Sequence, residues 1–384
     1  MTKRMLLALA ALGLTGSLMA QDMIVPAPPS IGATAYIMID ADSGEVLIEH
    51  NADERLPPAS LTKLMTAYVA EVELASGRMV LEDMVPISEK DWRTGGSKTF
   101  VLVDTEVSVE DLMRGIVIQS GNDASVAMAE YIAGSEENFV DIMNQYARRL
   151  GMENTEFANS TGLPASDGRG YSSARDLALL SQRKIQDHPQ YYGWYSEREF
   201  TYAGITQPNR NRLLWQNPNA DGLKTGHTSE AGYSLAASAV EDGMRLITVV
   251  MGANSEQARL QETQRMLGYG FRYFENRALH DADAELYQAR IWAGAQDQVS
   301  LGLDSDLSVT IPKGSADRLR SIVEVDSQLE APVSAGDILG TLIVRQGENV
   351  IVERDLVALS SVDQGSLFKR IWDRIKLFFI GFFS

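Results

Sequence analysis

The sequence contains no cysteine, which excludes disulfide frameworks, thiolate zinc sites, cysteine nucleophiles and cysteine-ligated iron–sulfur clusters. Histidine is scarce. His50, His188, His227 and His280 are the four present, and no two stand at metal-ligand spacing, so neither a metal nor a cofactor is expected. Basic charge is also short: 34 Lys and Arg against 52 Asp and Glu give −18, which argues against nucleic acid as a partner. An acidic substrate therefore needs a local basic site. What remains is ordinary globular material, 384 residues with 45% hydrophobic and 22% charged content, enough for two or three domains with a sizeable core. Nucleophilic catalysis has to use Ser, Thr, Lys or a carboxylate.

The two ends differ from the body. Lys3 and Arg4 precede an apolar run over 5–14, then small residues and Ala20 before Gln21-Asp22, the layout of a signal peptide over 1–20 that implies export. The run is too short to span a bilayer. At the other end, 366–384 carry Lys369, Arg370, Arg374 and Lys376 against a single Asp373, a reversal of sign on an acidic chain. On a helix, Leu367, Phe368, Ile371, Trp372, Ile375, Phe378, Phe379, Phe382 and Phe383 fall on one side with most of the charges opposite. This reads as an anchor lying in a membrane interface and drawn to anionic lipid; the competing reading is a terminal helix docked on the protein's own core.

Between the ends, a hairpin is predicted over 35–40 and 45–50, and a second over 232–240 and 244–252, followed by a helix over about 255–275. Helical patterns occupy 61–74, 109–118, 123–133, 137–150 and 174–187, the last capped by Ser172 or Ser173. Strands at both ends with helices between suggest one sheet built from two distant segments, with a helical insertion beside it. From about 278 to 362 the texture changes to short alternating strands such as 308–311, 338–344 and 350–359. The expected division is 1–20 signal peptide, 21–277 catalytic domain, 278–365 β-sandwich-like domain and 366–384 anchor.

Three short motifs could carry chemistry. In Pro57-Pro58-Ala59-Ser60-Leu61-Thr62-Lys63, Ser60 sits at the first turn of an apolar helix and Lys63 three residues on shares its face. A lysine buried beside a second cation loses pKa and can act as base at neutral pH. Ser-x-x-Lys alone is weak, since it recurs at Ser181 and Ser366 without such context. Ser120-Gly121-Asn122 lies between two helices; Ser120 could relay a proton and Asn122 bind a substrate amide, or either could simply cap the following helix. Lys224-Thr225-Gly226-His227 leads into an apolar strand, where Lys224 offers positive charge to a carboxylate and Gly226 lets a peptide backbone approach; a surface turn is the bland alternative.

Together these resemble the Ser-x-x-Lys, Ser-x-Asn and Lys-Thr-Gly set of penicillin-binding proteins and class A β-lactamases. The longer stretches Gln119-Ser120-Gly121-Asn122-Asp123-Ala124, Asn154-Thr155-x-Phe157 through Gly162-Leu163-Pro164, and Pro208-Asn209-Arg210-Asn211-Arg212-Leu213-Leu214-Trp215 are similar to the low-molecular-mass, serine-type D-Ala-D-Ala carboxypeptidases. The resemblance is strong over 31–275 and looser through the β domain. It implies an α/β (α+β) transpeptidase-like domain with a central antiparallel sheet flanked by helices, then a small all-β domain and the amphipathic helix. It also implies an acyl-enzyme mechanism on muropeptide pentapeptide stems. Ser60 attacks, Lys63 takes its proton, and Ser120 with Lys224 relays a proton to the leaving D-alanine. The amides of Ser60 and His227 form the oxyanion hole. Asn122 holds a stem amide, Gly226 and His227 line the substrate's path, and Lys224, Thr225 and Arg259 meet the terminal carboxylate, Arg259 by its offset from the Lys-Thr-Gly strand.

The resemblance further implies acylation by β-lactams and residence at the periplasmic face of the inner membrane, attached peripherally through 366–384. His227 puts an imidazole at the mouth of the site, to tune pH dependence or to fill space. No Glu-x-Glu-Leu-Asn element is present, so β-lactam hydrolysis should be slow. The alternatives are a D,D-endopeptidase or weak β-lactamase on the same site, or a non-catalytic peptidoglycan-binding scaffold.

Overall fold

A computed structural model describes residues 24–165 and 167–383; the expected signal peptide lies outside them. One antiparallel sheet organises the first part, with strands in the order Val46–His50, Ala35–Asp40, Met244–Ala253, Gly232–Glu241, Ala220–Thr228. Both predicted hairpins are present, and Met244–Ala253 joins them by pairing with Ala35–Asp40 (Ile37 opposite Val249). Side chains alternate between the faces, as the two-residue period requires. Ile37, Ile39, Ile247 and Val249 enter one core with the helical insertion, while Met38, Leu235, Leu246 and Val250 pack on Leu260, Met266 and Leu267 of the Glu256–Tyr273 helix. That double coverage explains why these strands read as nearly continuous apolar runs.

Inside the insertion the Lys63–Ala75 helix is the centre, buried along almost its whole length. The Asn122–Ala133, Glu136–Leu150 and Ala174–Asp187 helices surround it. Ser173 caps the last of these, accepting from Asp176 N–H, and Ser135 caps the second in the same way. Glu71 on the central helix meets Lys184 at 2.6 Å, both side chains 1% exposed. Burial pushes the Glu71 carboxyl up and the Lys184 ammonium down, each opposing the other's shift by attraction.

The second part has its own core, including Val299, Leu301, Leu342, Val344 and Leu356. Its five-stranded sheet runs Tyr287–Arg290, Gln298–Gly302, Asn349–Ala358, Ile338–Gln346, Leu319–Val325, beside a two-stranded ribbon of Phe274–His280 and Leu307–Pro312. The chain then enters the Leu367–Phe383 helix. This helix docks by its charged side. Asp373, 4% exposed, accepts from Ala293 N–H at 3.2 Å and pairs with Lys376; Lys369 meets Asp297 at 2.7 Å and Arg374 lies 3.8 Å from Glu330. Phe368, Ile371, Trp372, Ile375 and Phe378 face outward, Phe368 at 84%. No helix among the described residues is long and apolar enough to cross a membrane.

Candidate active site

The first motif folds as a 3-10 turn, Ala59–Thr62, that runs into the α-helix beginning at Lys63. Ser60 is therefore on the tighter turn rather than within the α-helix. Ala59 takes a left-handed φ of +48°, a strained conformation for a residue with a Cβ. Two glycines let the turn sit where it does. A Cβ on Gly162, whose φ is +79°, would fall 1.8 Å from Ala59 O, and one on Gly226 would fall 2.8 Å from Pro58 O. The Thr161–Gly162 loop and the Ala220–Thr228 strand thus close on the nucleophile turn from two sides.

Lys63 is 1% exposed. Its Nζ lies 3.2 Å from Ser60 Oγ, 2.7 Å from Asn122 Oδ1 and 2.7 Å from Thr161 O. Desolvation lowers its pKa to about 7; Asp123 opposes this and Arg210 adds to it. A neutral amine has two N–H groups and one lone pair. With two acceptors at 2.7 Å taking the N–H groups, the lone pair is left for the Ser60 hydroxyl proton. That is the geometry a general base needs.

Ser120 ends a π-helical turn, Gly115–Gln119, in a left-handed conformation with φ +63°. Such turns recur at functional sites. Its Oγ is buried without a hydrogen-bond partner among the described residues, which suits a group that hands a proton to a bound substrate. Asn122 is more committed than its motif suggested: Oδ1 accepts from Lys63, Nδ2 donates to Gly95 O at 2.6 Å, and its N–H donates to Ser97 O. Next to it, Asp123 is fully buried and accepts from the N–H groups of Thr99, Phe100 and Ala124 at 2.8 to 2.9 Å, fixing the loop over the site.

Ser60, Ser120, Thr225, Gly226, His227 and Arg259 line one cleft of about 510 Å³. Lys63 and Asn122 stand behind Ser60. Lys224 is buried in the strand beside them, its pKa pushed well down by desolvation and by Lys63, Arg210 and Arg259. Arg259 is 7% exposed and donates to Gly226 O at 3.3 Å, which ties the outer helix to the Lys-Thr-Gly strand. His227 is exposed and its ring lies 4.0 Å from that of Tyr233.

Two contributors carried no motif signal. Arg210 lines the cleft, with its backbone N–H on Ile118 O and its Nε on Gln119 O. The Thr161 carbonyl is 98 residues from the lysine it holds, and a backbone acceptor has no sequence signature. The stretches containing them, Asn209-Arg210-Asn211 and Thr161-Gly162-Leu163, are the only hint that sequence offered.

A family model described as D-alanyl-D-alanine carboxypeptidase matches residues 22–255, and one described as penicillin-binding protein 5, C-terminal domain, matches 274–364. D-alanyl-D-alanine carboxypeptidase DacA of Escherichia coli K12 is 45% identical over 369 residues, covering 94% of this chain and 91% of that protein. Penicillin-binding protein 5 from Haemophilus influenzae superposes with TM-score 0.85 at 42% identity, over 88% of this chain and all of the other. Penicillin-binding protein D2 from Listeria monocytogenes, solved in an ampicillin-bound form, superposes with TM-score 0.59 at 30% identity, over 64% of this chain and all of the other.

Proposed function

The chain belongs to the D-alanyl-D-alanine carboxypeptidase family and is a serine-type, penicillin-binding D-Ala-D-Ala carboxypeptidase of peptidoglycan metabolism, and on that premise we propose how its residues divide the work. Ser60 Oγ attacks the carbonyl carbon between the two terminal D-alanines of a pentapeptide stem as Lys63 Nζ takes the hydroxyl proton. The amides of Ser60 and His227 hold the oxyanion. Collapse breaks the C–N bond, and the leaving D-alanine nitrogen receives, through Ser120 with Lys224 behind it, the proton that Lys63 took, which returns Lys63 to its neutral form. Water then hydrolyses the ester on Ser60, with Lys63 again as base. Lys224, Thr225 and Arg259 meet the substrate carboxylate, and Arg210 adds to that positive field. Asn122 serves Lys63 first and reaches a stem amide through the same Nδ2 that now donates to Gly95.

The observation that carries this reading is the bonding of Lys63, whose two N–H acceptors leave its lone pair to Ser60. The test is incubation with labelled penicillin and with a pentapeptide ending in D-Ala-D-Ala. Label on Ser60 and D-alanine release are expected, both absent in Ser60→Ala; release that persists in Ser60→Ala would refute it.

We further propose that the protein is exported through residues 1–20 and works at the periplasmic face of the inner membrane, with 366–384 as the foot, 278–365 as the spacer and 21–277 as the catalytic part. The outward apolar side of the Leu367–Phe383 helix supports this. Serine at Phe368, Ile371 and Trp372 should release the protein from membranes; unchanged pelleting would count against the foot.

A further inference from the structure

Lys63 and Asn122 are held by two loops. One, Ser160–Gly162, gives Lys63 its Thr161 carbonyl; the other, which follows the Glu89–Arg93 helix, gives Asn122 the carbonyls of Gly95 and Ser97. Both loops trace back to one carboxylate. Glu136, first residue of the Glu136–Leu150 helix and 15% exposed, accepts through Oε1 from Ser160 N–H at 3.1 Å and Ser160 Oγ–H at 2.7 Å. Its Oε2 lies 3.2 Å from Lys90 Nζ on the Glu89–Arg93 helix, with Glu130 and Glu137 beside that lysine at 3.5 and 3.8 Å. Ser160 is fully buried, and its own carbonyl accepts from Thr66 Oγ on the helix that begins with Lys63.

We propose that Glu136 is a positioning residue for Lys63, acting through Ser160 and Thr161. The peptide unit after Ser160 leads directly to the carbonyl that takes one Lys63 N–H. Without Glu136 that turn keeps, among the described residues, the Thr66 hydrogen bond, the Asn159 contacts to Thr161, Gly162 and Leu163, the Leu163 N–H on Thr161 Oγ1 and the Lys63 N–H itself, none of which reaches the Ser160 N–H or hydroxyl. The Thr161 oxygen can then drift, the amine can rotate, and its lone pair leaves the line to Ser60. A misplacement of about 1 Å can cost on the order of a hundredfold in rate. Glu136 does not line the cleft that holds Ser60, so binding should be spared.

The inference rests on Ser60 and Lys63 acting as nucleophile and base. Full-length Glu136→Ala should acylate with penicillin at least about tenfold more slowly and lose kcat on the D-Ala-D-Ala peptide, with KM within about twofold. Glu136→Gln keeps an oxygen for Ser160 and drops the charge facing Lys90, so it should recover to within about threefold of wild type. Ser160→Ala should be several-fold slow, and the double variant with Glu136→Ala no slower than Glu136→Ala alone, because the Oγ–H bond that Ser160→Ala removes is one of the two that Glu136→Ala already removes. A merely structural role would lower the melting temperature without a loss confined to kcat and rescued by Gln. Wild-type rates in Glu136→Ala, equal defects in Ala and Gln, or a loss in KM would overturn it. Should Glu136→Ala not fold, Ser160→Ala decides, and a wild-type rate there overturns it. Absence of label on Ser60 in the wild-type protein would instead overturn the underlying base assignment.

Discussion

The acid limb of acylation tests the base most directly, because only neutral Lys63 can accept the Ser60 proton. An ordinary lysine, at 10.5, would be neutral in about one molecule in three thousand at pH 7. With burial holding Lys63 at about 7, half of the molecules are competent at that pH. The neutral fraction is then about 1% at pH 5, about 9% at pH 6 and about 90% at pH 8. Penicillin acylation, measured at subsaturating label by rapid quench, should therefore rise about ninetyfold from pH 5 to 8 and then level off. A second arm moves the limb without touching Lys63. Arg210 lowers the Lys63 pKa by repulsion, so Arg210→Gln should shift the midpoint upward whatever it does to the amplitude. A rate still climbing tenfold per unit beyond pH 9 would mean that Lys63 is not desolvated as described. A flat profile from pH 5 would mean that it is not the base.

Other consequences follow from contacts away from the reacting atoms. Gly162→Ala places a Cβ against Ala59 O at a positive φ, and should cost at least about 2 kcal/mol in denaturant unfolding and slow labelling of Ser60; wild-type values in both would contradict the close approach. Glu71→Ala leaves the Lys184 amine buried without its carboxylate partner, which should destabilise the protein by about 3 to 5 kcal/mol at pH 7, far more than a surface pair would. The cations Lys369, Arg374 and Lys376 already have carboxylate partners on the protein, so vesicle binding should rely on the apolar side of the helix. Cosedimentation with neutral phosphatidylcholine vesicles should change little between about 0.1 and 0.5 M salt, and a strict need for anionic lipid would refute this.

Much of the architecture was legible because local pattern and tertiary demand agree. The hairpin of Gly232–Glu241 and Met244–Ala253 and the helix over 174–187 are written in alternation, turn residues and a serine cap, all short-range signals. The reading failed where backbone geometry overrides pattern. The stretch 109–118 reads as one helix, yet it breaks at Gly115 into a π-helical turn, and that turn swings Ser120 into the left-handed conformation that puts its hydroxyl in the cleft. The tail was half legible. Phe368, Ile371, Trp372, Ile375 and Phe378 lie outward as the helical period places them, but Lys369 and Arg374 meet carboxylates of the preceding domain, and the single Asp373 is the buried residue that docks the helix.

The sequence by itself determined the chemistry available to this protein: with no cysteine and few histidines, acyl transfer falls to a serine and a lysine, and three spaced motifs with two unusual ends identify the family. Only the tertiary structure decided how that lysine becomes a base. Ser60 and Lys63 are neighbours on one turn, but the burial that brings the amine to about 7 and the two acceptors that aim its lone pair come from Asn122 and Thr161, 59 and 98 residues away. Desolvation and hydrogen-bond direction are properties of surrounding volume, which a sequence records only as residues far apart in the chain.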